Sequence, residues 1–340
     1  MNRLLLTCAL LLATSVTAAE YPQARCTVRM HVENDVFTRT DRHYTNGLRF
    51  DSTGCGSLPL WERAVGSFAE LMGATPESRV GTGFTLGNNM YTPTNYEASG
   101  LDPTERPFAG WLYVGGLGTV WSGRDRYDVE LDLGITGPPA LSGELQGEWH
   151  QLLGKREFEN WHNQVAFSPV VRLAVSAEQE LWQWPRPAHP EVLETTTGRW
   201  FTLTLRSRAE VGNVFDTASA GPLLRLGWIR DGSSLGELNP SILGERPLFW
   251  EAFLYARASV KLVLFNALIS GPPLTRSVYT AASTPLVTEG DVGLAFSVGP
   301  FSLGAGVVSR STEVRARRWR WDEHVFGQVQ LAYTPERYRQ

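Results

Sequence analysis

Tyr127-Asp128-Val129-Glu130-Leu131-Asp132-Leu133 decides how this chain folds. Apolar and acidic residues alternate with a period of two, so successive side chains fall on opposite faces of a strand. One face carries Val129, Leu131 and Leu133, and the other carries Asp128, Glu130 and Asp132. The same period recurs downstream. Phe201, Leu203 and Leu205 alternate with Thr202, Thr204 and Arg206. Ala258, Val260, Leu262 and Leu264 alternate with Arg257, Ser259 and Lys261, with Val263 as the exception. Val292, Leu294, Phe296 and Val298 alternate with Gly293, Ala295 and Ser297, and Val325 to Tyr333 keep the same rhythm. A soluble sandwich also alternates. Charged residues in the middle of strand after strand favour a polar lumen inside an apolar, lipid-facing wall.

Working outward, the period assigns twelve strands: 25–34, 44–54, 80–90, 108–120, 125–137, 162–181, 199–215, 220–230, 248–264, 285–299, 301–315 and 319–334. An even number lets an antiparallel barrel close and leaves no unpaired edge in lipid. The expected fold is therefore all-β, a twelve-stranded antiparallel transmembrane barrel. Tryptophans near strand ends, among them Trp111, Trp121, Trp200, Trp250, Trp319 and Trp321, suit its interfacial girdles. The Pro- and Gly-rich stretches 183–190, 231–247 and 271–285 read as loops, so residues 20–340 form one domain.

The first residues read as a processing segment. Arg3 is followed by an apolar run from Leu4 to Val16 and a small-residue site at Thr17-Ala18-Ala19. This predicts a signal peptide over 1–19, a mature chain from near Glu20, and export to the cell outer membrane. Cys8 lies too early, inside the apolar run, for a lipoprotein site. After cleavage only Cys26 and Cys55 remain. They start and end a predicted hairpin, so a disulfide is expected, two free and partly buried thiols being the other reading. The net charge of −4, without a long basic or acidic block, gives nucleic-acid binding no support. No later segment is apolar over 18 residues, which is unusual for a helical membrane protein.

Two stretches carry chemistry. Glu33-Asn34-Asp35 ends the first strand, and Asp41-Arg42-His43-Tyr44-Thr45-Asn46-Gly47 opens the second. A hairpin sets Asn34 and Asp35 near Thr45 and Gly47, gathering the oxygen donors that a hard cation such as calcium takes. By strand parity Arg29, His31, Glu33 and Asp35 share the lumen face, with Asn34 on the other. Taken alone, Asn34-Asp35 also reads as a turn. The second stretch breaks the strand period: 140–153 read as a helix after Gly137-Pro138-Pro139, with Leu141, Leu145, Trp149, Leu152 and Leu153 as a stripe. His150 lies off that stripe, on the side of Gln146. Alone it reads as a helix-surface histidine, and His43, His162, His189 and His324 read as structural.

These blocks, with Met90-Tyr91-Thr92-Pro93, Glu105-Arg106-Pro107-Phe108-Ala109-Gly110-Trp111, Gly134, Gly137-Pro138, Gly154, Trp161 and Gln164, resemble the outer-membrane lipid A 3′-O-deacylases. The resemblance covers most of the chain, and its weight lies in the order and spacing of the blocks. It implies a calcium-dependent barrel that hydrolyses an ester-linked acyloxyacyl chain of lipid A. By this resemblance His150 is the general base on a water, and Asn34, counted with it as catalytic, builds the Ca2+ site together with Asp35 and Thr45, the ion stabilising the oxyanion. The pattern has a Glu six residues after the histidine. Here that position is Arg156, with Glu157 beside it as the expected third metal residue, and a Tyr of the pattern is Phe158. A Lys of the pattern is absent from 94–104. Gln146 and Arg106 are the expected substrate contacts, Arg106 having a second reading as a tether from a loop to the lumen. Lipid A or lipopolysaccharide is the expected partner of a monomer. The alternatives are a non-enzymatic channel or scaffold of the same fold, and an outer-membrane phospholipase, for which no Ser–His pair occurs at strand spacing.

Overall fold

The computed structural model describes residues 21–22, 24–38, 43–94, 102, 104–152, 154, 160–184, 199–229 and 250–335. The expected signal peptide, Arg156, Glu157 and Phe158 lie outside these residues. Twelve strands follow in order: β1 (Thr27–Asn34), β2 (His43–Thr53), β3 (Arg79–Thr92), β4 (Ala109–Ser122), β5 (Asp125–Thr136), β6 (Ser168–Trp184), β7 (Arg199–Gly212), β8 (Phe215–Ile229), β9 (Trp250–Asn266), β10 (Leu286–Val298), β11 (Phe301–Arg310) and β12 (His324–Tyr333). Each pairs antiparallel with its sequence neighbours, and β1 pairs with β12 to close the barrel.

Burial in β5 shows which face is which. Asp128, Glu130 and Asp132 are buried, while Leu133 is 57% exposed. A soluble domain would bury the leucine. In register, Phe50, Leu86, Val114, Leu133 and Val171 form one transverse row across β2 to β6, and each is at least 45% exposed. This row is the lipid-facing wall. The charges turned into the lumen are paired, as buried ions must be. Arg49 meets Glu130 at 2.9 Å, Arg172 meets Glu130 and Glu210 at 2.7 Å each, Arg29 meets Asp51 at 2.8 Å, and Arg257 meets Asp291 at 3.1 Å.

Several elements depart from the period-based expectation, among them β8, which begins at Phe215 rather than 220. Trp161–Asn163 form a 3-10 turn, so β6 begins at Ser168 rather than 162. Residues 311–323 fold into a loop of their own, with the Thr312 amide donating to the Arg320 carbonyl at 3.0 Å; β11 therefore ends, and β12 begins, inside the expected spans. The sequence reading assigns no element to 55–79, yet helix α1 (Pro59–Leu71) forms there. It packs Val65, Phe68 and Ala69 onto Val80, Val120 and Val129 of the outer wall, and the Trp61 indole donates to the Leu117 carbonyl at 2.9 Å. Cys26 and Cys55 are joined by a disulfide across the β1–β2 pair.

Candidate active site on the outer wall of the barrel

The strand register places the first half of the site. Asn34 pairs with Asn46, Asn46 with Met90, and Met90 with Gly110. One row down, Leu48 pairs with Asn88 and Asn88 with Leu112. Both rows have the parity of Phe50, Leu86 and Val114, so Asn34, Asn46 and Asn88 point outward. A bare amide there would face lipid without a partner, at a cost of about 2–7 kcal/mol. All three are instead nearly fully buried, at 1%, 8% and 4% exposure, because something covers the wall.

Over Asn88 the cover is helix α2 (Ser142–Leu152). Its entry is set by a 3-10 turn at Pro138–Ala140 and by Leu141, which takes a left-handed conformation with φ 58°. Such a backbone costs a non-glycine residue about 1–2 kcal/mol and persists only when the surroundings demand it. The Ser142 hydroxyl donates to Asn88 Oδ1 at 2.9 Å, and Asn88 Nδ2 donates to the Ala140 carbonyl at 2.7 Å. Gly110 admits this approach: a Cβ there would lie 2.4 Å from Ser142 Oγ. The Trp161 indole donates to Gln146 Oε1 at 2.6 Å and stacks near Phe108, with ring centroids 5.1 Å apart.

Ser142, Gln146 and His150 follow one another at a spacing of four along α2 and are 2%, 1% and 1% exposed. They form the side turned to the barrel. Leu141 and Leu145, two of the five residues of the expected apolar stripe, are 51% and 43% exposed. The helix thus buries Ser142, Gln146 and His150 and exposes Leu141 and Leu145 together with Glu144, Glu148 and Gln151.

The lumen assignment of Asp35 is corrected here. Arg29, His31 and Glu33 do share the lumen face, but β1 ends at Asn34, and Asp35 opens a 3-10 turn over Asp35–Thr38. Strand parity does not extend into that turn. Asp35 is fully buried there, and the Thr38 hydroxyl ties the turn to β12 by donating to the Val325 carbonyl at 2.7 Å. Across from it, the β2–β3 register slips between Tyr44 and Asn46, so Thr45 is the extra residue of a bulge. Bulges often re-aim residues beside functional sites. Among the described residues no group of three or more His, Cys, Asp or Glu is positioned to hold a metal ion.

Arg106 sits apart from α2. It pairs with Glu313 at 3.2 Å and lies over the Tyr91 ring, 4.1 Å from its centroid. Tyr91 and Glu313 line a cavity of about 120 Å³ in the lumen, so Arg106 fits the tether reading rather than a contact beside His150. Burial by itself would raise the Glu313 pKa, but Arg310, His324 and Arg106 together hold it well below the usual carboxylate range. Sequence reasoning passed over Asn88 and Ser142 and gave Asn46 no role of its own. The available signal was an amide at a lipid-facing position, which predicts a cover.

The comparisons agree with this architecture. The family described as Outer membrane protein LpxR matches residues 4–334. The structure of LpxR from Salmonella typhimurium is similar with a TM-score of 0.71 at 17% identity, over 91% of this chain and 100% of that one. The β domain of the Bordetella autotransporter BrkA follows with a TM-score of 0.44 at 12% identity, over 92% of this chain and 100% of that one. No curated protein matches the chain. With residues 4–334 matched and the closed twelve-stranded barrel in place, the chain belongs to the LpxR family of outer membrane proteins.

Proposed function

We propose that this chain is a lipid A deacylase-like esterase that hydrolyses the 3′-O-linked acyloxyacyl chain of lipid A in the outer leaflet. The observation that carries this reading is the polar side of α2, Ser142, Gln146 and His150, buried on the outside of the barrel. A polar site on that face lies in the plane of the membrane, where a lipid reaches it sideways. The exposed row Leu86, Val114 and Leu133 runs about 7 Å below Asn88 along the strands and suits an acyl chain beside it.

In this reading His150 takes the proton of the attacking water and returns it to the leaving alkoxide. Its position supports a partnership with Asn34. Eight residues of helix separate Ser142 from His150, about 12 Å, and two strand spacings separate β3 from β1, about 10 Å. A helix seated by Ser142 on Asn88 therefore has the reach to carry His150 to the β1–β2 pair. Asn34 then orients the water or the ester through its amide. Gln146 holds Trp161 and keeps the helix seated, and so acts on substrate position.

Asp35, the Asn34 amide and the Thr45 bulge supply oxygen donors of the kind calcium takes, and Glu157 would add a second carboxylate. A bound calcium would provide positive charge at the ester carbonyl. The lumen ion pairs, with Arg49 reaching from β2 to Glu130 on β5, weigh against the channel alternative. The phospholipase alternative needs a serine beside the histidine, whereas Ser142 is two helical turns from His150 and its hydroxyl is engaged by Asn88.

The test is mass spectrometry of lipid A from bacteria expressing the chain, with calcium or with a chelator. Loss of one acyloxyacyl chain only with calcium is expected. Unchanged lipid A, with the barrel inserted and calcium present, would overturn the proposal.

A further inference from the structure

Residues 315–321 read Arg-Ala-Arg-Arg-Trp-Arg-Trp, the densest run of cations and indoles in the chain. They lie in the β11–β12 loop, at the same end of the barrel as Asn34: β12 leads away from this loop, and its Gly327 pairs with Asn34. The loop is held from within. The Arg320 amide donates to Thr312 Oγ1 at 2.9 Å, the Arg315 amide to the Ala282 carbonyl at 2.8 Å, and Val314 bridges to Ser283 and is buried.

Its cations divide in two. Arg317 turns inward to Glu105 at 3.4 Å and Glu323 at 3.0 Å. The others face out. Arg315 and Arg318 are exposed, and among the described residues neither side chain is in an ion pair. Arg320 keeps its side chain 57% exposed with Asp322 at 3.4 Å and Glu323 at 3.9 Å, weak contacts in water. Trp319 and Trp321 are 56% and 64% exposed. An exposed indole on a barrel rim is stable at the headgroup level of a membrane, and guanidinium forks match phosphate oxygens.

We propose that Arg315, Arg318 and Arg320, flanked by Trp319 and Trp321, form a docking surface for the multiply phosphorylated headgroup of a glycolipid in the surrounding leaflet. Charge complementarity selects this occupant. A headgroup with one phosphodiester offers a single negative charge, whereas three outward guanidiniums between positions 315 and 320 match two or more phosphates. The proposal rests on the reading of the substrate as an outer-leaflet lipid, and it adds a recognition surface separate from His150.

Binding is measured without turnover, on the His150→Ala chain in neutral detergent with EDTA, by native mass spectrometry. Bisphosphorylated lipid A, the same lipid without phosphates, and phosphatidylglycerol are titrated in turn. The bisphosphorylated form should bind at least tenfold more tightly than either of the others, and less tightly as salt rises. Arg315→Gln/Arg318→Gln/Arg320→Gln should lose about tenfold or more of that affinity and most of its salt dependence. Arg318→Gln alone should lose severalfold, with heat-modifiable gel mobility reporting an intact barrel. Equal binding of the dephosphorylated lipid, equal binding of phosphatidylglycerol, or an unaffected triple variant would each overturn the proposal. Absence of deacylation by the unaltered chain is read separately, in the lipid A assay, and leaves this binding result standing.

Discussion

The indole N–H of Trp161 donates to Gln146 Oε1 at 2.6 Å, joining the 3-10 turn before β6 to the buried side of α2. Both partners are buried, so the bond is shielded from water. Trp161→Phe keeps most of the ring and removes the donor. The stranded amide oxygen should cost about 1–3 kcal/mol, expressed locally as looser seating of α2. Limited proteolysis should then cut the 137–160 segment faster, while heat-modifiable gel mobility stays that of the folded barrel. Unchanged proteolysis would mean that the bond does not hold the helix.

Gly110 is the floor on which α2 rests. Gly110→Val places carbon where Ser142 Oγ now lies, 2.4 Å from the position of a Cβ, so the helix must lift off the wall. Deacylation should fall at least about tenfold, the effect of displacing a catalytic group by an ångström or so. Circular dichroism should show the barrel strands unchanged. Full activity in this variant would contradict the placement of the site beneath α2.

His150→Ala should lower deacylation by about 10²–10⁴, the usual contribution of a general base. Asp35→Ala should abolish it at low calcium, with partial recovery at high calcium if the carboxylate serves only to hold the ion. Both variants should insert normally, because Asp35 lies in a 3-10 turn and His150 on the outer-wall helix, outside the barrel strands. Rates on extracted lipid A as a function of calcium separate the two roles, and full activity in His150→Ala would remove the histidine from the mechanism.

Glu313 predicts a pH dependence. Its carboxyl is held below the ordinary range by Arg310, His324 and Arg106. A depressed carboxylate contributes stability that is present above its unfolded pKa of about 4.3 and is lost as pH falls through the lower folded value. Burial lowers the Arg106 pKa, but an arginine stays charged across this range, so the carboxylate sets the slope. The melting temperature should hold from neutral pH to about 4.5 and drop below it. Glu313→Gln should be less stable at neutral pH and flatter in acid. A parallel acid profile in this variant would rule Glu313 out as the cause.

Much of this was legible in the chain because a strand's period is a local property of the backbone. Asp128, Glu130 and Asp132 alternate with Val129, Leu131 and Leu133 whatever lies beside them, and that alternation already implied a polar lumen and an apolar wall. The two halves of the site, Asn34 with Asp35 and Gln146 with His150, were visible as polar residues interrupting strand and helix patterns. The outer-wall helix α1 was not, because nothing local separates its apolar side from that of a loop that merely touches the barrel.

By itself, then, the sequence determined a twelve-stranded antiparallel barrel, its inward charges and the polar residues of the candidate site. The tertiary structure alone decided on which side of the wall those residues lie. Register between strands is non-local, and only register aligns Asn34, Asn46 and Asn88 into outward rows beside the lipid-facing leucines. A helix likewise does not state which of its sides will dock. Burial of Asn88 on the outer wall demanded polar partners, and the Ser142 hydroxyl and the Ala140 carbonyl meet that demand, with Gln146 and His150 also turned inward and Leu141 and Leu145 turned out.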